Sequence, residues 1–483
     1  MDDPDSGMGI RTFLFTKHGI HDAGISGTPL QSSVTYHLIG HFSGKLCIDQ
    51  GSSDSISGGL VFQQVFGIKE LWGIDFFWIA AIGLVVLTAL YTIFGGMKSV
   101  LYTSVLQTPI LLLGSLIILV LGFKELGGWD EMMRVCGAVT VNDYGDTMTN
   151  LIRSNDDANF PWLGALIGSA IIGFWYWCTD QFIVQRVLSG KNEKEARRGT
   201  IFGAYLKLLP VFLFLIPGMI AFALHQKYIG AGGEGFLPIL ANGTANADAA
   251  FPTLVAKLLP AGVKGLVVCG ILAALMSSLA SLFNSSAMLF TIDFYKRFRP
   301  ETPEKKLVGI GQIATVVIVI LGILWIPIMR SVGDVLYTYL QDVQSVLAPG
   351  IAAAFLLGIC WKRTSAQGGM WGLIAGMIIG LTRLGAKVYY SNAGEVADST
   401  FKYLFYDMNW LFFCGWMFLF CIIVVIVVSL ATEAPTAEKI QGLVFGTATK
   451  EQKAATRASW DHWDIIHTVI ILAITGAFYW YFW

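Results

Sequence analysis

The sequence predicts an all-α polytopic membrane protein, and three observations support this fold class. First, 55% of the 483 residues are hydrophobic and 13% are charged, with a mean hydropathy of +0.63, whereas soluble domains are about a quarter charged. Second, apolar segments of about 20 residues, the length that crosses a bilayer core, recur along the chain. Third, basic residues lie in alternate links between these segments, as the positive-inside rule requires.

About ten segments have the length and composition of transmembrane helices. Because a membrane domain of this size is one unit, we predict a single transmembrane domain over residues 58–483. The predicted spans lie near Phe77–Phe94, Ser104–Phe123, Trp162–Ile183, Ile201–Leu224, Val263–Phe290, Val308–Met329, Val335–Trp361, Trp371–Gly385, Trp410–Leu430 and Ile465–Phe482.

The distribution of charge predicts the orientation of these spans. The basic links Lys191–Arg198 and Lys296–Lys306, with the segment Glu433–Asp464, fall on one side, which is the inside. Links with few basic residues, such as Gln226–Pro260, fall on the opposite side. We therefore expect a multi-pass protein of the cell membrane, with its C-terminal Trp483 outside.

The first part of the chain does not follow this pattern. Met1–Ser57 is polar and ends abruptly at the apolar run that begins with Gly58. One interpretation is a disordered tail. Another is a frameshift, since a back-translation of Gly44–Ser57 can be read one base later as a string typical of a membrane helix. We predict that residues 1–57 are an atypical segment, frameshifted or disordered, and that the chain is truncated or frameshifted at its N-terminus.

Aromatic and polar residues adjoin within one predicted span. Trp175-Tyr176-Trp177 is followed directly by Cys178-Thr179-Asp180-Gln181. An unpaired polar side chain in hydrocarbon costs roughly several kcal/mol, so this helix is expected to face a protein interior or a water-filled cavity. Aromatic faces beside hydrogen-bonding groups suit a polar, ring-shaped solute. Ordinary aromatic packing is the alternative interpretation.

Ala274, Ser277 and Ser278 have the spacing i, i+3 and i+4, so they share one face of a helix. Two hydroxyls and a backbone carbonyl on that face can hold a small hard cation, which prefers oxygen ligands. Alternatively, the two serines bond to the backbone of their own helix. The spacing by itself leaves both interpretations open.

Two other predicted spans carry polar groups. Lys207 lies well inside an apolar span, where a charge indicates function unless the side chain extends to the interface. Gln341, Asp342 and Gln344 make another helix unusually polar, so that helix is expected to face a cavity rather than lipid. The Gln341 amide offers a donor and an acceptor, which suits a polyol, although an interhelical hydrogen bond would also explain it.

Short motifs on successive spans, in their order and spacing, resemble the sodium:solute symporter family, in particular its sodium/glucose cotransporter-like members. The resemblance covers residues from about Gly58 to Val388. The matching segments are Ala89–Gly96, Gln107-Thr108, Trp175–Gln181, Val184–Arg186, Tyr205–Leu208, Pro217–Met219, Ser277–Ser281, Asn284-Ser285, Phe355–Leu357 and Trp361–Arg363.

The resemblance implies a LeuT-like fold, in which two inverted repeats surround sites near the middle of the bilayer, here incomplete at the N-terminus. It implies that Ala274, Ser277 and Ser278 bind Na+, the co-transported ion. It also implies that the sugar or polyol contacts four side chains: Tyr176, Trp177, Lys207 and Gln341.

Three residues depart from the family pattern. Ser104 stands where many sugar transporters of the family have an aspartate, and losing that carboxylate is expected to alter cation coupling. Gly173 stands where a polar sugar contact is usual in the family, and Gln344 stands where some members have a smaller hydroxyl residue. These departures put glucose and galactose in doubt as substrates without changing the predicted fold.

The predicted function is sodium-coupled import of a sugar or related polyol by alternating access across the lipid bilayer. One alternative is a non-functional truncated remnant of such a transporter, and another is a membrane sensor of the same fold. Nothing in the motifs predicts an enzyme, and the net charge of −1 gives no reason to expect a nucleic-acid partner. The solute, the sodium stoichiometry and the oligomeric state are left open.

Overall fold

The computed structural model describes residues 49–240, 243–332, 336–392 and 397–482. A two-stranded hairpin, β1 (Glu70–Leu71) and β2 (Ile74–Asp75), accompanies the helices. The helices are α1 (residues 49–66), α2 (Phe76–Leu126), α3 (Trp129–Gly137), α4 (Trp162–Cys178), α5 (Gln181–Leu188), α6 (Glu193–Pro210), α7 (Ile216–Gly230), α8 (Ala250–Leu258), α9 (Ala261–Met288), α10 (Lys296–Phe298), α11 (Glu304–Val332), α12 (Leu336–Cys360), α13 (Ala366–Asn392), α14 (Thr400–Lys402), α15 (Trp410–Ala431), α16 (Ala437–Ile440), α17 (Lys450–Ser459) and α18 (His462–Tyr481).

Helix α2 joins two predicted spans into one element of 51 residues. At about 1.5 Å per residue it is some 77 Å long, more than twice the thickness of a bilayer core. The sequence predicted two separate helices, near Phe77–Phe94 and Ser104–Phe123. The structure has both spans, Phe76–Ile93 and Gln107–Leu126. It differs in that the residues between them are also helical, since residues 94–106 contain no proline that would interrupt the backbone hydrogen bonds.

A predicted single span, near Trp162–Ile183, is instead two helices. Helices α4 and α5 are bent by 48° relative to each other. The hydroxyl of Thr179 and its own amide both donate to the carbonyl oxygen of Trp175, at 2.7 and 2.9 Å, which ends α4. The carboxylate of Asp180 accepts from the amide of Phe182 at 3.1 Å and so caps the start of α5.

Among the described residues nine helical segments, two of them within α2, are long and apolar enough to cross a membrane, or ten if the bent pair is one span. The other predicted spans correspond to helical segments with ends shifted by up to eight residues, and the span near Ile201–Leu224 comprises α6, a π-helical turn and α7. The sequence did not predict α1. The expected boundary between Ser57 and Gly58 lies within this helix, and residues 1–48 of the expected N-terminal segment lie outside the described residues.

One compact unit comprises Gly44–Leu151, Ala204–Leu340 and Thr475–Trp483. Its main contact is between α2 and α9. Glycine permits this approach, since a Cβ on Gly114 would lie 2.5 Å from Val267. A buried apolar cluster, which includes Ile118, Ile220 and Val267, joins α2, α7 and α9.

Among the described residues, the other compact unit comprises Ile152–Gly203 and Gln341–Ile474. Helix α15 packs against α13 and α4 in this unit. A Cβ on Gly168 would lie 2.7 Å from the carbonyl oxygen of Leu411, so α4 and α15 approach at backbone distance. Small residues at such contacts are typical of membrane helices, because packing rather than hydrophobicity drives their association.

Candidate cation and solute sites

The predicted cation-binding serines lie on α9, within the unit that contains α1, α2 and α9. The hydroxyl oxygens of Ser277 and Ser104, the latter on α2, are 2.5 Å apart and share a hydrogen bond. The Tyr91 hydroxyl, also on α2, donates to the carbonyl oxygen of Met276 at 2.6 Å. Ala274 is half-buried on the same face of α9. Hydroxyl and carbonyl oxygens therefore converge between these two helices.

The second serine contacts a third helix. Ser278 donates its hydroxyl proton to the carboxylate of Asp54 on α1. By contrast, Ser281 and Ser285 donate to carbonyl oxygens of α9 itself, those of Ser277 and Leu282, each at 3.0 Å. Ser277 and Ser278 thus bond to neighbouring helices, unlike the alternative in which they satisfy only their own backbone.

Sequence reasoning missed Asp54, because we assigned it to the atypical N-terminal segment. A periodic signal was present. Gly51, Asp54, Ser55 and Gly58 have the spacing i, i+3, i+4 and i+7, which places two glycines, a serine and one carboxylate on a single helix face.

The predicted aromatic pair lies at the last turn of α4. The rings of Tyr176 and Trp177 meet edge to face, with centroids 5.5 Å apart. Trp175 is buried, whereas the side chain of Trp177 is 49% exposed. The pair directly precedes the break between α4 and α5. Breaks of this kind, which expose the end groups of the two half-helices, are typical of solute sites in transporters.

The other two predicted solute contacts lie on different helices. The Lys207 side chain is exposed on α6, three residues before Pro210 and the π-helical turn Val211–Leu215. Gln341 is half-buried on α12. Tyr176, Trp177 and Gln341 belong to one compact unit and Lys207 to the other. The roles of these four side chains stay predictions.

Asp342, predicted to make α12 face a cavity, forms an ion-pair network with α13. Its carboxylate pairs with the ammonium of Lys387 and lies 3.6 Å from the guanidinium of Arg383. The Arg383 side chain is only 1% exposed, donates to the carbonyl oxygen of Met408 at 2.8 Å, and lies over the ring of Phe413. The sequence reading did not single out either basic residue, because their partner lies some 40 positions away.

The described residues contain no group of three or more His, Cys, Asp or Glu side chains placed to hold a metal ion. The oxygen-rich region around Ser277 and Ser278 holds one carboxylate and several hydroxyls, a donor set of the kind that hard cations prefer.

A model of the sodium:solute symporter family matches residues 47–380. The chain therefore belongs to this family of transporters, as the sequence predicted. The match begins at residue 47 and so includes the described residues 49–57 of α1. The interpretation of residues 1–57 as a frameshifted or disordered segment stays a prediction.

Relatives from several mammals align over most of the chain. The sodium/myo-inositol cotransporter 2 of Homo sapiens is 35% identical over 407 residues, which is 82% of this chain and 59% of that protein. The sodium/mannose cotransporter SLC5A10 of Bos taurus is 35% identical, covering 84% and 72%. The sodium/glucose cotransporter 1 of Ovis aries is 37% identical, covering 79% and 59%. The chain thus spans about three fifths of the length of the first and third of these relatives.

A solved structure of a Na+-coupled sialic acid symporter, in a substrate-bound outward-open state, has the same fold. The TM-score is 0.58 at 20% identity, covering 89% of this chain and 87% of that chain. This similarity confirms the predicted all-α, LeuT-like fold class.

Proposed function

We propose that this protein is a sodium-coupled symporter that imports a sugar or a related polyol. The observation that carries the proposal is the α9 face with Ala274, Ser277 and Ser278, on which the hydroxyls of the two serines bond to other helices, in a chain of this family. The relatives' names specify sodium with myo-inositol, mannose or glucose, which supports a polyhydroxylated solute. We place the protein in the plasma membrane with its C-terminus outside.

In the proposed cycle Na+ binds at the α9 face first and favours the outward-open form. One charge crossing about 100 mV supplies about 2.3 kcal/mol. The solute then binds with its ring against Tyr176 and Trp177 and its hydroxyls near Lys207 and Gln341. Alternating access exposes both sites to the inside, and the difference in affinity between the two forms couples ion to solute.

Uptake into proteoliposomes tests this function. Radiolabelled myo-inositol, mannose, glucose and sialic acid are offered under an inward Na+ gradient or an equal choline gradient. We expect at least one polyhydroxylated solute to accumulate only with Na+. Equal uptake in choline would contradict sodium coupling, and no uptake of any solute would favour the non-functional alternative.

A pair of serine substitutions tests the site. Ser277→Ala removes a hydroxyl that bonds to another helix, so we expect half-maximal uptake to need about tenfold more Na+, equivalent to about 1.4 kcal/mol. Ser285→Ala is the matched control, because its hydroxyl bonds only within α9, and it should leave the Na+ dependence unchanged. Equal effects of the two substitutions would remove Ser277 from the site.

A further inference from the structure

The face of α1 that meets α9 is built for close approach. A Cβ on Gly51 would lie 3.6 Å from Leu279, and one on Gly58 would lie 3.5 Å from Leu275 and 2.5 Å from Leu84 of α2. Between these glycines, on the same face, lies Asp54. Asp54 therefore lies on a face that packs against α9 and α2, and the residue is only 9% exposed.

The two carboxylate oxygens of Asp54 have different surroundings. The Ser278 hydroxyl donates to the carboxylate, while Oδ2 is buried and has no hydrogen-bond partner. Within the described part of the chain no Lys, Arg or His side chain pairs with Asp54. A buried carboxylate without a compensating charge is costly, by several kcal/mol, roughly.

A monovalent cation would remove this cost. Its positive charge would compensate the carboxylate, and Oδ2 would become a ligand beside the oxygen of Ser278. Ser277, which precedes Ser278 on α9, shares a hydrogen bond with the hydroxyl of Ser104. The oxygens that Ser277 and Ser104 contribute are both neutral. Asp54 is thus the acidic side chain that the structure brings to the serines of α9.

We propose that Asp54 is a direct cation ligand, and that Asp54 and Ser278 form a carboxylate-containing Na+ site between α1 and α9. This inference rests on the proposed sodium-coupled function and specifies its ion site. The site would be electrically neutral when Na+ is bound and negatively charged when empty, so the bound ion would compensate the charge of the carboxylate.

Equilibrium binding of ²²Na+ to the purified full chain in lipid nanodiscs tests the site without requiring transport. We expect Asp54→Asn, which keeps the shape and removes the charge, to raise the Na+ concentration for half-saturation by at least about tenfold. Asp130→Asn is the matched control, since Asp130 is exposed on α3, and its binding curve should match that of the wild type.

Ser278→Ala provides a second test, and it can be measured by itself if Asp54→Asn does not fold. It should also weaken Na+ binding. Where both single variants fold, the two losses should be less than additive in the double variant, because both residues act on one ion. Unchanged Na+ affinity in a folded Asp54→Asn or in Ser278→Ala protein would overturn the inference and leave sodium coupling intact. A wild-type protein that binds no Na+ would overturn the proposed function as well.

Discussion

The Asp342 carboxylate compensates two basic side chains in a region of the chain that is largely buried. Arg383 is almost fully buried, Lys387 is one third exposed, and both approach the same carboxylate. A buried pair adds little net stability, but removing one partner leaves the other charge uncompensated. Asp342 therefore has a structural role that its position next to Gln341 did not indicate.

Asp342→Asn should destabilise the protein by about 3 kcal/mol. This is near the lower end of the cost of breaking a buried ion pair, because Lys387 is partly solvated. The midpoint of thermal unfolding in detergent would fall accordingly. Adding Lys387→Met should restore part of the loss, since one of the two basic charges is then absent. Asp398→Asn is the control, because that carboxylate is 95% exposed in its pair with Lys402. An Asp342→Asn protein as stable as the control would contradict a structural role.

At the scale of elements, helix α13 carries glycines at every fourth position. Gly368, Gly372, Gly376 and Gly380 share one face, which packs against α15 at one end and α12 at the other. A Cβ would lie 2.3 Å from Val425 at Gly372 and 2.7 Å from the carbonyl oxygen of Val346 at Gly380. This face permits backbone approach, as small residues do between membrane helices.

Gly380→Ala tests this packing. The added methyl group meets a backbone carbonyl rather than a flexible side chain, so α12 and α13 must separate, at a cost of about 1–3 kcal/mol. Gly385→Ala lies on the same helix where a Cβ meets nothing within 4 Å, so it should be neutral or slightly stabilising. The two variants are compared by thermal unfolding in the same detergent. If Gly385→Ala destabilises the protein as much as Gly380→Ala does, the contact between α12 and α13 is not the cause of the loss in stability.

For the whole molecule, the charge distribution predicts which ends of the spans face the cytoplasm. An epitope tag after Trp483 should be labelled by antibody on intact cells, as should one in the Gln226–Pro260 link. A tag in the basic Lys296–Lys306 link should be labelled only after permeabilisation. Labelling of the basic link on intact cells would reverse the proposed orientation.

Much of the fold was predictable because hydrophobic length is a local property. The spans at Trp410–Leu430 and Val263–Phe290 follow directly from their composition, and α15 and α9 agree with them to within a few residues. The break after Cys178 was not predicted, although Thr179 and Asp180 stood in the sequence as the capping residues that cause it. Their effect depends on backbone angles, which composition does not report.

The candidate site likewise has features that the sequence predicted and features that it did not. The shared face of Ala274, Ser277 and Ser278 follows from helical spacing alone, since residues three and four apart must be neighbours. The sequence thus determined an all-α membrane protein with oxygen ligands on one helix. Only the tertiary structure decided that Ser104 and Asp54 meet those serines, because they are 173 and 224 positions distant from Ser277 and Ser278. Contacts between helices depend on how faces pack in three dimensions, and no local pattern in the chain encodes that choice.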